Sequence, residues 1–119
     1  MGHLRSVVIF CRDPYVLAPF WSEVLGMPPV DDDAAALAEH SLAPGESVLL
    51  RSAGNPDVWI TPVEWLDPPG NRLHLDVDVQ PGDVEQLLTV GAQYVRDEAE
   101  WTVLADPEGN HFCAVPRAG

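Results

Sequence analysis

The chain has 119 residues, of which 46% are hydrophobic, and a formal net charge of −13. This length suits one domain, and the hydrophobic share is enough for a packed core, which argues against a disordered chain. The strong negative charge repels phosphate backbones and anionic lipid, so we expect no nucleic-acid partner and no membrane-surface role.

The sequence also indicates where the protein works. No apolar run approaches the length of a membrane span, and the run at residues 7–11 is too short for a signal peptide. Cys11 and Cys113 lie near opposite ends of the chain. Free thiols are the ordinary state in a reducing compartment, and a disulfide is the less favoured alternative. We therefore expect a cytoplasmic protein.

The first predicted elements are a buried strand and a helix. Residues 6–11 form a nearly continuous apolar run rich in β-branched side chains, which is typical of a central strand. Asp13 and Pro14 then predict the start of a helix, and Gly26 predicts its end. Pro19 falls inside this helix, where it removes one backbone donor and is expected to bend the axis.

The rest of the first half contains an ambiguous segment and a hairpin. Residues 31–40 suit a short helix, because three aspartates precede an alanine-rich run, and they suit a solvated loop equally well. Residues 46–52 and 58–61 predict two strands joined by a turn. The proline-rich residues 65–70 predict a linker between two halves.

Residues 71–79 are the most informative stretch, since apolar and polar residues alternate strictly along it. A strand turns successive side chains to opposite faces, so the pattern predicts one strand with an apolar face and a titratable face. The apolar set is Leu73, Leu75, Val77 and Val79, and the polar set is Arg72, His74, Asp76 and Asp78. We expect the apolar set to face the helices and the polar set to line a cavity.

The second half continues with a helix that begins at residues 81–83 and ends at Gly91, followed by short strands. These strands are predicted at residues 93–96, 101–105 and 111–115, with a type I turn at residues 106–109. Both halves show one order, a strand, a proline-started helix, a glycine stop and three strands, which indicates an internal duplication. We predict an α+β domain of two paired βαβββ modules, at about residues 1–66 and 71–119, whose polar faces surround a shared cavity.

Two segments carry a family resemblance. They are residues 71–76, which read Asn-Arg-Leu-His-Leu-Asp, and residues 101–113, which contain the turn Asp-Pro-Glu-Gly-Asn. With the order of elements, they resemble the glyoxalase-like branch of the vicinal oxygen chelate superfamily over essentially the whole chain. That superfamily includes glyoxalase I, extradiol dioxygenases, bleomycin-resistance proteins and fosfomycin-resistance enzymes. The resemblance implies a single glyoxalase-like domain at residues 1–119, in which the two modules curl into a half-open barrel around one cavity.

The resemblance also implies a divalent metal held by strand residues, but the matching positions are poor ligands. Ser6 stands where a His or Gln is expected, Cys113 stands in place of a Glu, and residues 59–61 offer no good ligand. His74 is the only position that matches, whereas an open catalytic site normally has at least three protein ligands. We therefore expect no cofactor and no tightly held catalytic metal, and a divalent metal is the weaker alternative.

Strand parity turns His74 and Asp76 to one face, and we expect this pair to be the catalytic acid and base. An imidazole beside a carboxylate suits general acid–base work, whereas the structural alternative is a half-buried histidine bonded to a neighbouring strand. Cys113 is expected beside His74, where it is either an activated thiol or, in its more ordinary role, part of the core.

The same parity, together with the aromatic residues of other strands, predicts a ligand-binding set around that pair. The set is Phe10, Trp59, Asp78, Trp101, His111 and Cys113. Tryptophans in such strands more often belong to the core or the rim than to a ligand platform, and the aspartates could form a solvated sheet face. The acidic pair Asp76 and Asp78 favours a neutral or cationic ligand over an anion.

Two functional classes stay open. One is an enzyme of glyoxalase type, a lyase, isomerase or hydrolase acting on a small oxygenated substrate without a metal, or a metal-dependent lyase, isomerase or dioxygenase. The other is a binding protein that sequesters a drug-like molecule, as the resistance proteins of the superfamily do. The partner is a small molecule in both classes. Such modules pair within one chain or between two chains, and we expect a homodimer because an open sheet with an exposed edge favours pairing.

Overall fold

The computed structural model describes residues 1–65 and 72–117, and these form seven strands and three helices. Their bounds are β1 (His3–Cys11), α1 (Pro14–Leu25), α2 (Asp31–Glu39), β2 (Val48–Leu50), β3 (Asp57–Pro62), β4 (Leu73–Val79), α3 (Asp83–Thr89), β5 (Gln93–Asp97), β6 (Thr102–Ala105) and β7 (His111–Pro116). This mixed α+β class with an open sheet confirms the predicted fold class. None of the helices in the described ranges is long and apolar enough to cross a membrane.

The chain divides into two compact units whose border lies within β1. One unit contains residues 7–73, and the other contains residues 1–6 together with the chain from His74 onward. Strand β1 therefore contributes residues to both units. The predicted linker falls, from residue 66 onward, outside the described residues.

In the unit of residues 7–73, the strands lie in the order β2-β3-β1. β2 and β3 are antiparallel, with Leu49 opposite Trp59, which confirms the predicted hairpin. The core of this unit consists of Ile9, Cys11, Ala18, Met27, Val48, Leu50, Val58 and Ile60. Val7, Ile9 and Cys11 on one face of β1 pack in this core, and Val8 on the other face is also buried, which accounts for the continuous apolar run in the sequence.

The boundaries of α1 follow the predicted caps. Asp13 precedes the helix, and its Oδ1 accepts a hydrogen bond from the backbone N of Tyr15 at 3.0 Å. Gly26 follows the helix with a φ of 66°, a left-handed conformation that glycine adopts without steric cost. Both capping predictions are confirmed, and Pro19 lies inside the helix.

The segment that the sequence left open is the helix α2. Its first turn carries three aspartates, whose charge interacts favourably with the helix dipole. Asp33 Oδ2 also accepts a hydrogen bond from the backbone N of Leu49 at 2.7 Å, which ties the helix to β2. This contact joins residues far apart in the chain, so local periodicity did not reveal it.

Within the described part of the first half, residues 1–65, two strands follow the helices, so the prediction of three is wrong. In the second half, the strand β5 follows the helix. At the corresponding position of the first half, Pro29 makes a single antiparallel bridge to Leu50. Pro28 and Pro29 lack the backbone N–H that a strand ladder requires, so the pairing does not extend.

In the other unit, the first residues of β1 are followed in the sheet by β4, β7, β6 and β5. Helix α3 covers part of this sheet, and the side chains that meet there are Val77, Val79, Val84, Leu87, Leu104, Phe112 and Ala114. The prediction that Val77 and Val79 face a helix is therefore confirmed, and so is the same prediction for Phe112 and Ala114.

Leu73 and Leu75 were expected to face the helix layer as well, and that prediction is wrong. They are 53% and 46% exposed. Helix α3 has seven residues and so is about 10 Å long, whereas the seven residues of β4 extend over about 23 Å. The helix reaches the last part of β4 and leaves the first part of its apolar face uncovered.

Candidate functional site

The polar face of β4 meets β7 in a register that brings three titratable side chains together. His74 and Asp76 are two residues apart on β4, so their side chains point to the same face. β4 and β7 are parallel, and Asp76 lies directly opposite Cys113. Strand alternation and sheet register alone therefore place the imidazole, the carboxylate and the thiol beside one another.

The donor atoms of these side chains converge on a small volume. His74 Nε2 lies 3.2 Å from Asp76 Oδ1 and 3.8 Å from Cys113 Sγ. Ser6 Oγ donates a hydrogen bond of 2.6 Å to Asp76 Oδ2. Ser6 is only 1% exposed, whereas the side chains of His74 and Asp76 are 17% and 18% exposed. Ser6 therefore lies on the buried side of the cluster, and the side chains of His74 and Asp76 are partly accessible to solvent.

Asp76 is held as a carboxylate. Burial by itself would raise the pKa of Asp76, but hydrogen bonds from His74 and Ser6 and the positive charges of His74 and Arg5 outweigh burial and lower it. The carboxyl group is consequently ionised at neutral pH. Its negative charge disfavours a second negative charge on the neighbouring sulfur of Cys113.

Cys113 is held as a neutral thiol. Burial, followed by the negative charge of Asp76, raises the pKa of Cys113 to about 12. The arrangement also differs from a nucleophilic Cys-His-Asp triad, in which the thiol and the carboxylate face opposite nitrogens of the imidazole. Here both face Nε2. The geometry and charges therefore disfavour the activated-thiol interpretation.

We predict that native Cys113 reacts slowly with iodoacetamide at pH 8. A pKa of about 12, against an ordinary value of 9.0, lowers the thiolate fraction at that pH by about 1,000-fold. Alkylation timed by peptide mass spectrometry, which separates Cys113 from Cys11, should show rapid modification in urea and a rate in the native protein that rises steeply above pH 9. Equal rates in native and unfolded protein would contradict this charge state.

The other predicted residues of this unit lie outside the converging donor group. Asp78 forms an ion pair of 3.1 Å with Arg5, whose side chain is half exposed. His111 begins β7 opposite Ala105 and is half-buried. Trp101 lies just before β6 and is 39% exposed. The predicted ligand contacts of Asp78, His111 and Trp101 stay hypotheses.

Phe10 and Trp59 belong to the unit of residues 7–73. Both are half-buried, Phe10 in β1 and Trp59 in β3. Thr61, at the last of the positions considered for a fourth metal ligand, exchanges a hydrogen bond of 2.9 Å with Ser47.

Sequence reasoning did not identify two contacts, the hydrogen bond from Ser6 to Asp76 and the ion pair of Arg5 with Asp78. Ser6 was considered only as a failed metal-ligand position, yet its hydroxyl holds the second oxygen of Asp76. The signal in the sequence was a small polar residue opening an otherwise apolar strand. Recognising its partner required knowing that the start of β1 and the strand β4 belong to one unit.

A cavity of about 430 Å³ lies in the same unit, at the far end of β4 from His74. Its lining includes Val79, Val84, Tyr94, Thr102, Pro116 and Arg117. None of the predicted site residues lines it. The cavity is therefore separate from the polar cluster.

Comparison with models of protein families identifies the family of the chain. A family model described as a glyoxalase-like domain matches residues 6–115. The chain belongs to the glyoxalase-like domain family. No curated protein sequence matches this glyoxalase-like chain.

Solved structures confirm the fold of the family. A glyoxalase/bleomycin resistance protein/dioxygenase superfamily member from Vibrio splendidus 12B01 is 18% identical, aligns over 98% of this chain and 100% of its own, and has a TM-score of 0.60. Methylmalonyl-CoA epimerase from Mycobacterium tuberculosis is 20% identical over 98% of this chain and 89% of its own, with a TM-score of 0.59. The 2,2',3-trihydroxybiphenyl 1,2-dioxygenase from Sphingomonas wittichii strain RW1 is 16% identical over 99% of this chain and 41% of its own, with a TM-score of 0.61. At these identities the likeness concerns the fold alone.

The metal that the glyoxalase-like resemblance implies does not fit the residues at its usual positions. Ser6 Oγ is engaged with Asp76, and Cys113 offers a thiol where the family uses a carboxylate. Thr61 is engaged with Ser47. Of the usual donor set, His74 alone remains.

Proposed function

We propose that this glyoxalase-like protein binds a small oxygenated organic molecule at the His74–Asp76 pair and transfers a proton on it, as an isomerase or lyase does. The observation that carries the proposal is the half-buried contact between His74 Nε2 and Asp76 Oδ1 at 3.2 Å. It combines an imidazole, the side chain that most often serves as a general acid or base, with an anion that orients it.

The roles of the two residues follow from their surroundings. Asp76 stays ionised, because His74 and Ser6 both donate hydrogen bonds to it. It therefore stabilises the imidazolium that forms when His74 takes a proton from the substrate. His74 then returns the proton to another atom of the substrate, which completes an isomerisation, or to the leaving group, which completes an elimination.

The charge of the surroundings limits the substrate. Asp78 is paired with Arg5, whereas Asp76 keeps its negative charge beside the reacting group. With a chain charge of −13, these carboxylates favour a neutral or cationic substrate over an anion. Two free cysteines suit a reducing compartment, so we assign the activity to the cytoplasm.

The experiment is proton exchange in D₂O. A panel of small neutral and cationic carbonyl compounds is incubated with the purified protein, and deuterium incorporation at carbon is followed by NMR. We expect at least one compound to exchange faster with the protein than in buffer. If every compound exchanges at the buffer rate, proton transfer is the wrong reaction class, and ligands that bind without exchange would assign a binding function instead.

A carboxylate variant tests the role of Asp76. Asp76→Asn keeps the shape of the side chain but removes the anion that stabilises the imidazolium. We expect exchange to slow by about 10- to 100-fold, of which part reflects orientation of the ring. Asp57→Asn is the matched control, since Asp57 forms a surface ion pair with Arg51 in the other unit. Equal rates for the two variants would remove Asp76 from the mechanism.

A further inference from the structure

We propose that the cavity at the far end of β4 is a second binding site, which takes a small primary ammonium compound with a hydrocarbon body. The ammonium group lies against the carboxylate of Asp97, and the body lies on the ring of Tyr94 and the apolar wall beside it; both side chains line the cavity. The site is separate from the His74–Asp76 pair, so it does not depend on the reaction proposed above.

The size and the walls of the cavity suit a small organic ligand. Its volume is about 430 Å³, and small-molecule sites commonly occupy about 300–1,000 Å³, with mostly apolar walls and a few polar groups. The apolar wall consists of Val79, Pro81, Val84 and Pro116. Val79 is only 5% exposed and packs in the core beneath α3. The wall is therefore continuous with the core of this unit.

A β-bulge brings Asp97 to the same face of β5 as Tyr94. The two residues are three apart, so a regular strand would place their side chains on opposite faces. The pairing of β5 with β6 shifts between Tyr94, which lies opposite Leu104, and Arg96. After the shift, Asp97 lies opposite Thr102, on the same face of β6 as Leu104. The bulge thus sets a phenol and a carboxylate side by side on the face that lines the cavity.

Hydrogen bonds from Thr102 and Tyr94 hold the carboxylate of Asp97 at the cavity. Thr102 Oγ1 donates to Asp97 Oδ1 at 3.0 Å. The phenol of Tyr94 also donates to this carboxylate, and the hydrogen bond raises the pKa of Tyr94. A carboxylate has about four lone-pair positions, so acceptor positions remain for the ammonium group of a ligand. Because Asp97 is already held in place, the ligand loses little affinity in ordering it.

The charges around the cavity favour a cation. Of the described residues that line it, Glu85 and Asp97 are acidic and Arg117 is basic, which leaves an excess of negative charge. The whole chain adds to this excess with its net charge of −13. Tyr94 is 56% exposed, so the face of its ring is accessible to a ligand and attracts a cation.

The experiment titrates the protein with three probes that share a phenylethyl group and differ in charge. They are 2-phenylethylammonium, 2-phenylethanol and 3-phenylpropanoate. Binding is followed through the backbone amide signals of Thr102 and Arg117 in ¹H–¹⁵N NMR spectra. We expect the ammonium compound to bind at least about tenfold more tightly than the carboxylate, with the alcohol between them, because the charges of the ligand and the cavity are then complementary.

Two variants test the contact with the ammonium group. Asp97→Asn keeps the shape of the side chain and removes its charge, so it should weaken binding of the ammonium compound by about tenfold and leave the alcohol nearly unaffected. Thr102→Val removes the hydroxyl that positions Asp97 and should weaken the ammonium compound by a smaller factor. Asp57→Asn is the matched control, because it changes the chain charge equally but lies in a surface ion pair with Arg51 in the other unit. It should leave the affinity unchanged.

Several results would overturn the proposal. Tightest binding of 3-phenylpropanoate, lost in Arg117→Gln, would make the cavity an anion site. Equal weakening by Asp97→Asn and Asp57→Asn would mean that only the overall charge attracts the probe. Saturable shifts at His74 without any at Thr102 would place the ligand at the other site, and no saturable shift with any probe would remove the cavity as a binding site. Circular dichroism shows that each variant is folded, and Thr102→Val decides the question if Asp97→Asn does not fold.

Discussion

Replacing His74 by glutamine is expected to slow proton exchange on the substrate by about 100- to 10,000-fold, the usual contribution of a general acid or base. Glutamine can still donate a hydrogen bond to Asp76, so the local structure is preserved. It cannot accept and release a proton near neutral pH. The expected result is a folded protein that binds the substrate and leaves its hydrogens in place.

The measurement compares exchange rates of the parent, His74→Gln and His3→Gln under one set of conditions. His3 is exposed at the start of β1, so its replacement controls for loss of a histidine without loss of the site. Ligand binding is measured beside exchange by thermal shift. If His74→Gln exchanges protons as fast as His3→Gln, the imidazole is not the group that moves the proton.

Replacing Leu104 by alanine is expected to lower the free energy of unfolding by about 2–5 kcal/mol, whereas Leu75→Ala should lower it by less than about 1 kcal/mol. Leu104 is fully buried at 0% exposure, in the core beneath α3. Its truncation removes buried methyl groups and leaves a cavity. Leu75 is 46% exposed, so its truncation removes little buried surface.

Urea unfolding followed by circular dichroism measures both changes. The two leucines lie in one unit and undergo the same substitution, so each is the control of the other. The sequence pattern placed Leu75 against the helices, and on that basis alone it would be as costly to truncate as a core leucine. A similar loss for both variants would mean that the first part of β4 is covered in solution.

Local signals in the sequence predicted elements whose cause is local. The start and end of α1 depend on Asp13 and Gly26, which act on backbone groups within a turn of themselves. The turn before β7 behaves in the same way, since Gly109 N donates to Asp106 O at 3.0 Å. Predictions of this kind succeed because the residue and its partner lie together in the chain.

Predictions that needed partners far along the chain were less complete. Alternation along β4 predicted two faces, and the face of His74 and Asp76 was correct. What covers the opposite face depends on the length and position of α3, which alternation does not encode. The missing strand of the first half has a related cause, because Pro28 and Pro29 limit pairing to one bridge with Leu50.

The sequence by itself determined the α+β class, the ends of α1 and the side of β4 on which the titratable residues lie, because propensity, capping and alternation are properties of neighbouring residues. Only the tertiary structure decided what those residues meet. The parallel register of β4 and β7 sets Cys113 opposite Asp76. The hydroxyl of Ser6, in β1, donates a hydrogen bond to the carboxylate of Asp76. Convergence of donor atoms on one point results from the pairing of strands far apart in the chain, and pairing is a global outcome of packing.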